Sequence, residues 1–193
     1  MFAADRDFEA AASAFAASVT GGGLDPAVED LIAQAGRLRD QPAQALPLLE
    51  QARALAPRHP VPVIALYRFH FYGHQLALAR TLGEDALAIA RHALGPDFGD
   101  QPLDDERARH DAAARFYLFT LKGMAYLSLR LGDWDAARSL LAELRRLDPQ
   151  DRVGGALLAH VLGRHEALAG PDGAALLAEG AVDYPVRGWG PAG

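Results

Sequence analysis

The sequence has no cysteine among its 193 residues. This absence excludes disulfide bonds, iron–sulfur clusters and cysteine-ligated zinc sites. It is typical of a protein in a reducing compartment, so we expect a cytoplasmic location. The sequence also has no uninterrupted apolar run of the ~18 residues that a membrane span needs. Its first residues, MFAADRDFEA, are too acidic for a secretory signal peptide.

Cations are few, and they are nearly all of one kind. Lys122 is the one lysine among 19 basic residues, and the net charge is −6. We do not expect nucleic acid as the main partner, because binding a phosphate backbone needs clustered cations. The abundance of arginine, alanine, leucine and glycine is typical of a GC-rich bacterial genome. Half of the residues are apolar, so the chain is expected to fold as one domain over 1–193.

The pattern of residues 118–151 predicts two helices joined by a tight turn. Apolar residues recur at helical spacing on both sides of Gly132 and Asp133. Asp133 suits the N-cap of the second helix, because its carboxylate accepts hydrogen bonds from free N–H groups of the first turn. Pro149 ends that helix, since proline disfavours helical geometry in the residue before it. A link this short predicts two antiparallel helices packed on each other.

This hairpin resembles a tetratricopeptide repeat, a two-helix unit of about 34 residues. The matching positions are the family's small, turn, aromatic, close-packing and terminal proline sites: Ala125, Gly132, Trp134, Ala137 and Pro149. Leu144 and Ser128 depart from the pattern, because the family has alanine and tyrosine there. The alternative is an unrelated helical hairpin, since any tight hairpin needs small residues and a stop.

Three further pairs are predicted around this hairpin. The first spans residues 26–59, and the fourth begins at Asp151. In the second pair, a capping box over 81–84 predicts a long first helix before it; the alternative is a break at Gly73, with a short first helix and a long second one. Residues at the family's sites recur in these pairs: Ala45, Ala52, Pro57, Ala86, Ala93 and Ala175.

The segment 95–103 is predicted to be a loop, since it holds two prolines and two glycines. Asp104 or Asp105 caps the next helix, which is either a first helix of nearly thirty residues or a short extra helix before the third pair. The loop is either functional or a plain insertion between repeats.

Both ends of the chain are predicted to differ from the hairpins. Residues 4–19 form an amphipathic helix, and the glycines of 21–23 act as a flexible joint. This helix either caps the first pair or is loosely held. A short helix over 174–182 and an irregular tail over 184–193 with Trp189 end the chain. The fold class is therefore all-α, a superhelix of about four degenerate tetratricopeptide-like hairpins over 24–183 with an N-terminal capping helix over 1–23.

Few motifs suggest chemistry. His70 and His74 are one helical turn apart and could share a metal ion, although no HExxH motif accompanies them; the alternative is imidazoles in a groove or in the core. The GxGxxG match at 188–193 has no preceding strand, and the Asp-Phe-Gly of 97–99 has no kinase loops beside it. We find no nucleophile elbow and no phosphate loop, so the sequence predicts neither an enzyme nor a cofactor.

The resemblance implies a concave groove, lined by the first helices of successive pairs, that holds a peptide or a helix of another protein. The groove positions correspond to Arg68, Phe71, Tyr72, Gln75, Phe119, Lys122, Tyr126, Arg130, His160 and Arg164. Aromatic and arginine residues are enriched in binding hot spots, and the cations suit an acidic partner segment. The alternative is that these aromatics fill the core. Asp30 and Gln34 replace the family's lysine–asparagine clamp, so we do not expect this clamp to capture a terminal carboxylate.

The sequence thus predicts a non-catalytic cytoplasmic adaptor or assembly factor that binds another protein or peptide, without nucleic acid or membrane. Two alternatives remain. One is a helical small-molecule or metal-binding sensor that uses His70, His74 and the neighbouring aromatics. The other is an enzyme whose site is not visible in linear spacing.

Overall fold

The computed structural model describes residues 3–19 and 24–170, and over these ranges the chain is helical with no strand. The prediction of an all-α protein is therefore confirmed. The helices are α1 (Ala3–Val19), α2 (Pro26–Arg37), α3 (Pro42–Leu55), α4 (Pro60–Tyr72), α5 (Leu76–Leu94), α6 (Asp105–His110), α7 (Ala112–Leu131), α8 (Trp134–Leu147) and α9 (Ala156–Ala169).

Aspartates and prolines set the helix starts, as the sequence predicts. Asp25 Oδ1 accepts from the Ala27 amide at 2.8 Å, and Pro26 occupies the first helical position, where no N–H is needed. Asp133 accepts from the Ala136 amide and so caps α8. Gly132, with a φ of 74°, ends α7 in the left-handed conformation that glycine adopts without strain.

The second pair follows the alternative prediction, a break at Gly73. The turn after Tyr72 is closed by a hydrogen bond from the Gln75 amide to the His70 carbonyl. The capping box at 81–84 is wrong, because α5 is already helical there and the Thr81 hydroxyl donates back to the Ala77 carbonyl. The helix continues through the predicted cap because the buried face of α5 makes apolar contacts from Ala79 to Ala90.

The third pair has a short extra helix, α6, in front of it. Asp111 ends α6 and caps α7, since its Oδ1 accepts from the Ala113 and Ala114 amides at 3.0 Å. The loop over 95–103 is packed onto the helices. Phe98 is buried, with its ring 5.0 Å from that of Tyr117. Phe98 therefore anchors the loop in the core, which the sequence did not indicate, while the rest of the loop is exposed or partly buried.

Helix α9 begins at Ala156, later than the predicted start directly after Asp151. Asp151 still caps it from a distance, because its Oδ1 accepts from the Ala156 amide at 3.0 Å. The chain turns first at Asp151 and Gly154, which have φ values of 54° and 74°. These turns bring Gly155 against Leu144, where a Cβ atom would lie 2.6 Å from Leu144 Cδ2.

Helix α7 is the centre of the molecule. It packs against α5 and α8 most extensively, and also against α1, α6 and α9. Small residues allow the approach of α5: a Cβ atom on Gly83 would lie 2.1 Å from Met124 Sδ, and Ala79, Ala86 and Ala90 are buried. The described alanines at the repeat sites are buried as well, except Ala93, which is exposed.

Helix α1 does not cover the first pair. It packs on α7 and α4, with Phe15 stacked on Phe116 at 4.8 Å between ring centroids. The reason is apolar complementarity, because Ala11, Ala12 and Phe15 belong to the same buried cluster as the start of α7. The flexible joint over 21–23, Ala175, the helix over 174–182 and the tail with Trp189 lie outside the described residues. Within them, no helix is both long and apolar enough to cross a membrane.

Ser128 provides a test of packing in α7. Its hydroxyl is buried and has no hydrogen-bond partner in the part of the chain that the structure describes. We expect Ser128→Ala to leave the free energy of unfolding unchanged or to raise it by about 1 kcal/mol, because an unpaired buried hydroxyl is costly. The control is Thr120→Val, which removes a hydroxyl that donates to the Phe116 carbonyl. Urea unfolding followed by circular dichroism measures the stability of both variants. A clearly lower free energy of unfolding for Ser128→Ala would contradict the assignment of a buried hydroxyl without a partner.

Tyr117 makes the stability of the fold depend on pH in the alkaline range. Burial and a hydrogen bond to Glu143 raise the pKa of Tyr117 to about 12, above its ordinary value of 10.0. A pKa that is higher in the folded state favours folding fully below pH 10 and progressively less as the pH rises towards 12. We therefore expect the stability lost between about pH 9 and about pH 11.5 to be smaller in Tyr117→Phe than in the wild type. Parallel pH profiles for the two proteins would contradict this assignment.

Candidate functional site

Aromatic side chains from α4 and α7 meet at the ends of these helices. Phe71 lies between three rings: its centroid is 5.9 Å from Tyr67, 5.4 Å from Tyr72 and 6.0 Å from Tyr126. Tyr72 remains 52% exposed, and Tyr126 is partly buried. These four rings therefore form an aromatic row that extends from the core to the protein surface.

Two arginines border this row. Arg130 donates through Nη1 to the Tyr126 hydroxyl at 2.7 Å, and its guanidinium lies 5.7 Å from the centre of the Tyr126 ring. The guanidinium of Arg68 lies 6.0 Å from the Tyr72 ring. Such pairs hold each cation against an aromatic face. We call this group the aromatic–arginine patch; it consists of Arg68, Phe71, Tyr72, Tyr126 and Arg130.

Three other predicted groove residues have structural contacts. Phe119 is buried in the core, with Arg115 over its ring at 5.5 Å. Lys122 donates through Nζ to the Val153 carbonyl at 2.6 Å and so holds the turn before α9. Gln75 is bonded to His70. These three residues support the fold around the patch; Phe119 is buried, Lys122 is partly buried and Gln75 is exposed.

His160 and Arg164 lie on α9, and both are exposed. His160 lines a cleft of about 490 Å³ with residues of α8 and of the turn before α9, among them Leu141, Arg145 and Asp148. The contacts of the described residues do not bring this cleft together with the patch. In the first pair, Gln34 donates to Asp30 on its own helix at 2.8 Å.

The histidine pair is not on one helical face, because α4 ends at Tyr72. His70 is buried and donates through Nδ1 to Gln75 Oε1 at 2.5 Å. His74 is exposed and has a φ of 57°. Over 3–19 and 24–170 no three histidine, cysteine or acidic side chains are grouped closely enough to hold a metal ion. His70 and His74 are therefore not one turn apart on a helix, which was the geometry expected from their spacing.

Tyr67 is not among the residues predicted for the groove, yet it connects the patch to the core. Its hydroxyl approaches α7 at Gly123, where a Cβ atom would lie 3.0 Å away. Its ring stacks on Phe71 and also contacts Phe8 of α1 at 5.6 Å. A glycine inside an otherwise strong helix was the signal that a large side chain crosses there.

Comparison with known proteins gives one family relationship. The chain is 38% identical over 135 residues to the "Uncharacterized 19.8 kDa protein in nifW 5'region" of Azotobacter chroococcum mcd 1, and the match covers 63% of this chain and 70% of that protein. The chain belongs to that protein's family. No protein-family model matches the chain, and no solved structure matches it.

The hydrogen bond between His70 and Gln75 can be tested by its effect on stability. We expect Gln75→Ala to lower the free energy of unfolding by about 1–3 kcal/mol, because it leaves a polar group of the buried His70 without a partner. His74→Asn is the control and is expected to change stability little, since asparagine tolerates a positive φ. Denaturant unfolding measures both. A larger loss in His74→Asn than in Gln75→Ala would contradict the assigned roles.

Proposed function

We propose that this protein is a non-catalytic interaction module, a cytoplasmic adaptor or assembly factor, that binds a segment of another protein on the aromatic–arginine patch. The proposal includes a tetratricopeptide-like stacking of helical hairpins, in which α4 and α7 are the first helices of neighbouring pairs.

The order of helix contacts supports the stacking. The second helix of each pair packs on the first helix of the next: α3 on α4, α5 on α7 and α8 on α9. Ala45, Ala86 and Ala137, the close-packing alanines, are at most 3% exposed. This is the arrangement by which repeat proteins build one continuous core from neighbouring pairs.

The observation that carries the binding proposal is the meeting of Tyr72, Phe71 and Tyr126 with two arginines at a partly exposed surface. Tyrosine and phenylalanine offer a large contact area with few rotatable bonds. Arginine adds planar hydrogen bonding to carboxylates. Such residues dominate the energy of protein interfaces.

The chemistry of the patch describes the partner. A segment with an apolar side chain next to a carboxylate fits, because Arg130 borders the aromatic row. The Azotobacter relative is named for its position in the 5′ region of nifW. The product of nifW is therefore the first protein to test as a partner of this chain.

The test is co-purification from the native host with Tyr72→Ala and Arg130→Glu variants. We expect each change to weaken capture of a specific protein by about 2 kcal/mol, or about thirtyfold, because both remove hot-spot side chains. The partner is identified by mass spectrometry and its affinity is then measured by calorimetry.

Matched controls lie elsewhere on the surface. Leu157→Ala removes a large side chain that is 71% exposed on α9, and Arg39→Glu reverses a charge whose side chain is 83% exposed. Both controls should bind as the wild type does. Equal binding by the patch variants and the controls, with unchanged helix content, would refute the patch as the binding surface.

A further inference from the structure

Helix α1 lies on the two helices that carry the patch. It packs on α7 and α4, and Phe8 reaches both, with its ring 5.6 Å from Tyr67 and 6.0 Å from Phe116. Tyr67 belongs to α4 and Phe116 to the start of α7. An amphipathic helix of the chain itself thus covers one end of the surface formed by these helices.

The contact of α1 has a simple pattern. Phe8 and Phe15 are seven residues apart, which places both on one face, two helical turns from each other. Ala11 and Ala12 lie between them and are buried. Phe15 is fully buried against Phe116. Two phenylalanines with small residues between them are therefore what this surface accepts.

The aromatic rows of α1 and the patch are continuous. Phe8 contacts Tyr67, Tyr67 stacks on Phe71, and Phe71 contacts Tyr126, with each pair of centroids within 6.0 Å. The exposed Tyr72 lies beside Phe71. The surface under α1 and the patch are therefore two parts of one surface, and the ring contacts of Phe8 and Phe15 lie in the first part.

We propose that α1 dissociates reversibly from this surface and can be replaced by a helix of another protein. That partner is an amphipathic helix with the spacing Phe-x2-Ala-Ala-x2-Phe or a close equivalent. The partner helix replaces α1 and continues onto the patch. This inference deepens the proposed function and rests on it for the foreign partner only, because exchange of α1 can be measured without one.

The patch gives a foreign helix its advantage. A tethered α1 competes at an effective concentration in the millimolar range, so a helix that made only the same contacts would be a poor competitor. A helix that also contacts Tyr72, Tyr126 and Arg130 gains interactions outside the pairs that α1 forms with Tyr67 and Phe116. Occupation by α1 therefore selects for partners that use both parts of the surface.

The test uses the full chain with a protease site in place of Gly21–Gly23. After cleavage, we expect residues 1–20 to remain bound and to exchange with a fluorescently labelled synthetic peptide of the same sequence, measured by anisotropy. A Phe15→Ala peptide should bind about a hundredfold more weakly, because it loses the buried stacked ring. A Ser13→Ala peptide is the matched control and should bind normally, since Ser13 is exposed.

The outcomes separate this inference from the proposed function. Unfolding or aggregation on cleavage, or no incorporation of the peptide over days, would overturn it, since α1 would then be permanent core. Equal binding of the Phe15→Ala and Ser13→Ala peptides would overturn it as well. If patch variants lose the native partner but α1 does not exchange with the peptide, the proposed function is supported. Only the inference that α1 is replaceable is then refuted.

A second copy of the chain is a distinct occupant. One outcome is that the uncleaved protein forms a concentration-dependent dimer that Phe15→Ala abolishes. In that case the helix that occupies the surface is α1 of another copy, and the proposal of a foreign helix is wrong. A monomer over the same concentration range, together with peptide exchange after cleavage, supports the proposal. Light scattering after gel filtration measures this.

Discussion

Close packing around α7 is the constraint on which the other helices depend. Every side chain from Phe116 to Leu121 is buried, and a helix that is buried all round must have neighbours on every side. Those neighbours approach because glycine and alanine face α7, most closely at Gly83 beside Met124. Larger side chains at these points would separate α5 from α7 and open the main core.

Near its end α7 keeps one buried face, where Leu127 and Ser128 are at most 1% exposed, and its other face forms part of the candidate site. α1, α5 and α8 pack against α7, whereas Tyr126 is partly buried and Arg130 is exposed near the end of the helix. α4 behaves similarly, from the buried Val63 to the exposed Tyr72. The patch lies where both helices emerge from the core, and α1 covers part of the surface before that point.

Arginine serves two purposes in this protein. Some arginines connect helices: Arg53 pairs with Asp85 and Arg80 with Asp133, at 2.9 Å and 2.8 Å. Arg146 donates to the Gly99 carbonyl and so holds the loop over 95–103. These contacts are partly exposed and add little stability each, but they fix the positions of turns and loops. Arg130 differs, because it bonds to Tyr126 beside the exposed end of the aromatic row, where a partner can also reach it.

Local patterns in the sequence predicted that the chain is helical and where several of the helices begin or end. Apolar spacing, Asp25, Asp133 and Gly132 act within one or two turns, so their effect can be recognised without knowing the neighbours. The five patch residues were named from the resemblance to tetratricopeptide repeats, which places them at groove positions, and their role in binding stays a prediction. Three outcomes came from tertiary packing alone: which aromatics are core, the position of α1 on α4 and α7, and the bond between His70 and Gln75. They depend on contacts between separate helices or across a turn, for which the local spacing of residues carries no information.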